Sequence, residues 1–199
     1  MQDQCIADAV LGYGGTRDGR VGRENTRLEL ERVTFVHTDL RRIRTRNSSL
    51  IVRNCVFEDI FAANEAASTD NLSEHIWGAG IPADGQFLLE NNVFGITKGH
   101  NDCVDFDGPA RPASIIQIRG NLFRGTGDDA LDLEGDAHIE GNVFLHSHKD
   151  QYNIDPGHSN AISAGAGRDY VVVRNVFYDV DHASLIKDGA FMVFANNTV

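Results

Sequence analysis

One short pattern recurs along the whole chain. It reads LELERVTF (28–35), LIVRNCVF (50–57), LLENNVF (88–94), IQIRGNLF (116–123), AHIEGNVF (137–144), VVVRNVF (171–177) and MVFANNTV (192–199). The closing position holds Phe35, Phe57, Phe94, Phe123, Phe144, Phe177 and Val199, at intervals of 21 to 37 residues. Five residues earlier stands an apolar residue: Leu30, Val52, Leu89, Ile118, Ile139, Val172 or Phe194. Asn precedes the closing position by two in the last five units, at Asn92, Asn121, Asn142, Asn175 and Asn197. A second short strand follows each unit but the last, with Ile43, Ile76, Val104, Leu131, Ile162 and Leu185 as its first inward residues.

Runs this short, rich in Val, Ile and Phe and bounded by Gly and Asn, read as strands. No helical period lies between them, which excludes a βαβ fold, since each of its crossovers needs a helix. Like residues at like positions of a repeat call for parallel, in-register stacking. The spacing therefore predicts an all-β right-handed parallel β-helix of about six to seven coils, stacked about 4.8 Å apart. Stacked Phe and aliphatic side chains fill its core. Stacked Asn satisfies backbone groups at a turn and tolerates a left-handed backbone there. Residues 1–25 carry little of the pattern and are expected to form an irregular segment or an incomplete coil, with the β-helix over 26–199. The run FANNTV ends within a repeat and brings no polar cap, so further coils or domains of the same chain are expected beyond it.

The 199 residues carry a net charge of −11, which argues against a nucleic-acid or anionic membrane partner. No apolar run is long enough to span a membrane. The opening MQDQCIADAV lacks the regions of a signal peptide. Cys5, Cys55 and Cys103 show no metal spacing, and their odd number leaves at least one unpaired within the chain.

The acidic charge is concentrated in two strands. Side chains alternate along a strand, so in VDFDG the inward Val104 and Phe106 leave Asp105 and Asp107 outward. In LDLEG on the next coil, Leu131 and Leu133 leave Asp132 and Glu134 outward. Asp102, Asp128 and Asp129 stand just before these strands. Four carboxylates on adjacent rungs repel one another at neutral pH. A calcium ion held by Asp105, Asp107, Asp132 and Glu134 would offset this, as would nearby Arg44, Arg46 or Lys187, or solvent.

The repeats and the DDALDL strand resemble the pectate-lyase-like superfamily of right-handed β-helix proteins over residues 28–199. Some second strands further resemble polygalacturonase-type glycoside hydrolases, which place an N-T-D Asp, a D-D pair, a G-H-G His and an R-x-K pair on successive coils. NDCVD sets Asp102 at the first Asp, GDDALDL sets Asp128 and Asp129 at the pair, and GHSNAIS sets His158 at the histidine. SLIKDG departs from the pattern: Ile186 takes the Arg position, and Lys187 falls one residue early and points inward by alternation. The resemblance implies that these residues cleave an acidic polysaccharide, with one carboxyl donating a proton and another activating water about 6.5–9.5 Å away. Lys187 is alternatively the base of a lyase aided by calcium. An extracellular, periplasmic or cell-surface location follows from that reading. A non-catalytic or calcium-binding segment of a large surface protein is the competing expectation.

Two insertions, at roughly 58–75 and 145–161, are expected to wall a groove over the acidic rungs. The first leads to His75 and to Trp77, the only tryptophan, which can stack on a sugar face. The second carries Tyr152 and the histidines His146, His148 and His158, whose His-x-His spacing also suits a metal.

Overall fold

The computed structural model describes residues 4–7, 10–11, 21–36, 41–60, 73–153 and 156–199. Three sheets run along the molecule, and every strand pairing among the described residues is parallel. The first contains β1 (Gln4–Ala7), β4 (Arg27–Glu31), β7 (Ser49–Arg53), β10 (Phe87–Glu90), β13 (Ile116–Arg119), β16 (Ala137–Glu140), β19 (Asp169–Val173) and β22 (Phe191–Ala195), in that order. The second stacks β2 (Val10–Leu11), β5 (Thr34–Phe35), β8 (Val56–Phe57), β11 (Val93–Phe94), β14 (Leu122–Phe123), β17 (Val143–Leu145) and β20 (Val176–Tyr178). The third stacks β3 (Val21–Glu24), β6 (Ile43–Arg46), β9 (Ile76–Ala79), β12 (Val104–Asp107), β15 (Asp129–Leu133), β18 (Asn160–Ala164) and β21 (Leu185–Ile186). Each coil contributes one strand to each sheet. The fold is a right-handed parallel β-helix, and no helix is long and apolar enough to cross a membrane among the described residues. The first 25 residues supply β1, β2 and β3, which pair with β4, β5 and β6 as a first coil.

The repeat positions explain the interior. Phe35, Phe57, Phe94, Phe123, Phe144 and Phe177 are buried and stack in one column, with centroids 4.7 to 5.0 Å apart. Phe194, rather than Val199, continues the column at 5.6 Å. The inward residues of the third sheet, Ile43, Ile76, Val104, Leu131 and Ile162, are likewise buried. Cys55 and Cys103 are buried, free thiols.

The asparagines form a second ladder. The Oδ1 of Asn121 accepts the backbone N–H of Asn92 at 2.9 Å, Asn142 does the same for Asn121, and Asn175 for Asn142. Each Nδ2 donates to a main-chain carbonyl of the preceding coil, such as Leu89 for Asn121. The left-handed backbone falls one residue earlier than expected. Asn91, Gly120, Gly141, Arg174 and Asn196 have φ of 56, 64, 67, 57 and 56°, while the ladder residues that follow them are not left-handed. One residue turns the chain and the next satisfies it.

Candidate functional site

The third sheet shows its outward side chains in register, and two columns follow. The first runs Arg44, Trp77, Asp105, Asp132, Ser163 and Leu185 from coil to coil. The second starts at Arg46, Ala79 and Asp107 and continues through Glu134 and Gly165 to Lys187. At the first residues of β15 and β18, Asp129 pairs with Asn160, and Asn160 bridges His182.

A groove of about 360 Å³ opens over this end of the sheet. Asp128, Asp129, Asp132, His158 and Lys187 line it, together with His100, Asn160, Ser163 and His182. Asp102 lies behind them, buried, with carboxylate oxygens of Asp102, Asp128 and Asp129 within 4.8 Å of one another. All five residues expected to be catalytic are thus in or against one groove.

Two of these carboxyls are built into the backbone. Asp102 Oδ1 accepts the N–H of Asp129 at 2.9 Å. Asp129 Oδ1 accepts both the N–H and the Nδ2 of Asn160, at 3.0 and 2.8 Å. Such bonds usually favour the ionised form, yet both carboxyls are pushed up. Burial and then the neighbouring charges of Asp129, Asp132, Asp128 and Asp105 raise Asp102 well above the ordinary range. Burial and Asp128 push Asp129 up to about 7, against the pull of Asn160. The two facts agree, because a protonated carboxyl still offers its carbonyl oxygen to an amide and keeps the proton on the other oxygen. Asp105 is pushed up to about 7 by burial, Asp132 and Glu74. Asp128 meets Nε2 of His100 at 3.2 Å.

Lys187 departs from the sequence expectation. Alternation from Leu185 pointed it inward. Instead Leu185 pairs with Ser163 rather than Ile162, which moves the last strand by one residue and turns Lys187 outward. Its Nζ reaches Asp132 Oδ1 at 3.4 Å. Gly165 makes room for this, since a Cβ there would meet Lys187 Cε at 3.1 Å. Burial would lower the Lys187 pKa, but Asp132, Asp129 and Glu134 outweigh it and hold the amine above its usual range.

The expected substrate contacts separate. His75 is in the core, not on the groove. It is fully buried between Phe57 and Phe94, its Nδ1 takes a hydrogen bond from Arg42 Nη1 at 2.5 Å, and its Nε2 donates to Gly95 O at 2.8 Å. Burial and the Arg42 charge hold it neutral, well below its usual pKa. Trp77 does face outward, but its ring is covered by guanidiniums: Arg41, Arg44 and Arg46 lie 4.4, 5.4 and 5.6 Å from its centroid. Tyr152 is half-buried and does not line the groove. Its loop is stapled down by Asp150, which accepts Gly99 N–H at 2.9 Å, and by Asn153, which donates to Gly127 O. Most of the first insertion, residues 61–72, lies outside the described residues. His146 and His148 bond to Asp179 and Asp181 on the side of β20. The outward carboxylates expected to hold calcium do not form a three-ligand group among the described residues; the one such group is Asp102, Asp128 and Asp129.

His100, Asn160 and Ser163 border the groove but did not stand out in the sequence. His100 could have been found from its place two residues before Asp102, and Asn160 from its register with Asp129. Ser163 is a buried hydroxyl without a hydrogen-bond partner, and only the structure shows this. Compared with known proteins, the chain matches no protein family, no curated protein and no solved structure. The fold and the groove together define a parallel β-helix solenoid with an acidic groove on one sheet.

Proposed function

We propose that the groove binds an acidic polysaccharide and hydrolyses it by acid/base chemistry. What carries this reading is the meeting of Asp128, Asp129, Asp132, His158 and Lys187 around one groove, with Asp129 holding its proton up to about 7. A general acid has to be protonated at working pH. Asn160 occupies Oδ1 of Asp129, so the proton sits on Oδ2, the oxygen left to serve the leaving group. The glycosidic C–O bond breaks as that proton passes to the departing oxygen. Water adds to the anomeric carbon and gives its own proton to a second carboxylate. The oxygens of Asp102, Asp128 and Asp129 lie within 4.8 Å, tighter than the roughly 6.5–9.5 Å gap that leaves room for such a water. Asp132, the remaining groove carboxylate, is then the base. Asp102 braces Asp129 and raises its proton affinity. His158 and Lys187 supply donors to the sugar hydroxyls and carboxylates.

Two alternatives fare less well. A lyase needs Lys187 unprotonated, whereas its carboxylate neighbours hold the proton on it. Calcium is favoured by the close trio alone, and there Asp102 and Asp129 each commit one oxygen to an amide. Calcium takes six to eight oxygen ligands, more than this set offers. Incubation with a polyuronide panel distinguishes these readings. Hydrolysis releases reducing ends without an unsaturated, ultraviolet-absorbing product, and Asp129→Asn stops it. An unsaturated product marks elimination instead, and no product from any acidic glycan removes the enzyme reading. Millimolar calcium is expected to leave the melting temperature unchanged. A rise would move the trio to a cation site.

A further inference from the structure

His182 is tied to Asp129 through a single amide. The Nδ2 of Asn160 donates to Asp129 Oδ1 at 2.8 Å and to the main-chain oxygen of His158 at 3.1 Å. A main-chain carbonyl only accepts, so this end of the Asn160 side chain is its NH2 group and the other end is its oxygen. That oxygen, Oδ1, lies 3.1 Å from Nδ1 of His182. An amide oxygen has no hydrogen to give, so the imidazole is the donor and carries a proton on Nδ1. In the neutral ring Nε2 is then a bare acceptor. It has no hydrogen-bond partner among the described residues.

The backbone holds this ring in place. The main-chain oxygen of His182 accepts the N–H of Ala161 at 2.9 Å, and a parallel bridge joins His182 to Asn160. The His158 ring stands edge-on to it, with centroids 5.0 Å apart and planes at 72°. His182 is exposed and lines the groove beside Asp129, Asp132 and His158. An acceptor mounted in this way suits a hydroxyl donor, and sugar epimers differ in where a hydroxyl points. We infer that His182 is a specificity residue of the groove, whose Nε2 accepts a hydrogen bond from one hydroxyl of the bound sugar and so selects among epimeric uronates. The inference rests on the reading of the groove as a glycan site and adds the group by which it chooses its sugar. Asn160 holds both Asp129 and His182, so the selected hydroxyl and the glycosidic oxygen are gauged from one amide. An epimer that turns the hydroxyl away leaves Nε2 without its donor, and a site built to bond a hydroxyl discriminates strongly against a sugar that fails to supply it.

Two measurements test it. The first compares galacturonate, glucuronate, mannuronate and guluronate oligomers. Turnover is followed on the parent and on His182→Asn, and binding by calorimetry on the same pair in the Asp129→Asn background, where the oligomers outlast the titration. Asn at 182 keeps an N–H for Asn160 but has nothing at the place of Nε2. The expected result is that the parent favours one epimer at least tenfold, and that His182→Asn binds the favoured oligomer at least tenfold more weakly, with a raised KM, and treats the epimers alike. If the parent shows a preference and the variant keeps it, His182 does not touch the sugar; the inference is overturned and the groove reading stands. If the preference is seen in binding and lost in the variant but nothing is cleaved, the inference stands and the hydrolase reading fails. A parent that treats all four alike, or binds none, overturns the inference. The second measurement is the side-chain nitrogen spectrum of histidine-labelled parent at alkaline pH, with the His182 signals identified by their loss in His182→Asn. The proton is expected on Nδ1, with the Nε2 resonance moving when the favoured oligomer is added. A proton on Nε2 overturns the inference whether or not a glycan binds.

Discussion

Asp129 serves the backbone and holds a proton at once. Its Oδ1 accepts two N–H donors from Asn160, and burial with Asp128 lifts its pKa to about 7. Asn at this position keeps the acceptor and the shape but has no proton to give. Asp129→Asn is therefore expected to abolish turnover of a polyuronide while leaving the melting temperature unchanged or higher, since a crowded carboxyl has been neutralised. Reducing-end assay and thermal melt on the same sample check both halves. Gly165→Ala tests Lys187 separately. The added Cβ meets Lys187 Cε at 3.1 Å, so the amine is expected to leave Asp132 and substrate affinity to fall at least severalfold, read as a rise in KM. At this scale the repeat register brought Asp102, Asp128, Asp129 and His158 to neighbouring coils, and the structure places them in or against one groove. The sequence was a poor guide to His75, whose partner Arg42 is buried beside it. A core that hides a polar pair looks the same in sequence as a loop that displays one.

Stacking decides the strands. Phe123 sits between Phe94 and Phe144, 4.8 Å from each and nearly parallel to both. Truncation leaves a cavity that neighbouring rings cannot fill, so Phe123→Ala is expected to cost about 3–5 kcal/mol in a denaturant melt. The asparagine ladder predicts a gradient along the axis. Removing Asn121 strands the buried N–H of Asn92, at about 1–3 kcal/mol for an unsatisfied donor. Asn197 is only half-buried at the end of the described ladder, so Asn197→Ala is expected to cost less than Asn121→Ala under the same conditions. The repeat was legible because in-register coils require like residues at like heights. The register of β21 was not. A strand of two residues offers no alternation to count, so Leu185 was aligned with Ile162 when it pairs with Ser163.

For the molecule as a whole, the crowded carboxyls make stability depend on pH in an unusual direction. Asp129 and Asp105 rise from 3.8 to about 7, and Asp102 is raised as well. Between the ordinary carboxylate value and about 7 the folded chain binds more protons than the unfolded one, so stability falls as pH rises through this window. Asp136 acts oppositely: burial pushes it up, but the amides of Asp169 and Arg111 and the Arg111 guanidinium bring it below its usual value. That contribution is present above the ordinary carboxylate value and disappears in stronger acid. The melting temperature is expected to be higher near pH 5 than near pH 8, and Asp129→Asn is expected to flatten the slope. An unchanged slope in the variant would place the effect elsewhere. Finally, each coil displays its outward residues on the third sheet, and its strands pair only with those of the coils before and after it. The surface is therefore written like type on a line, one character per coil. Exchanging one coil would rewrite a single letter of that surface and leave the rest of the word standing.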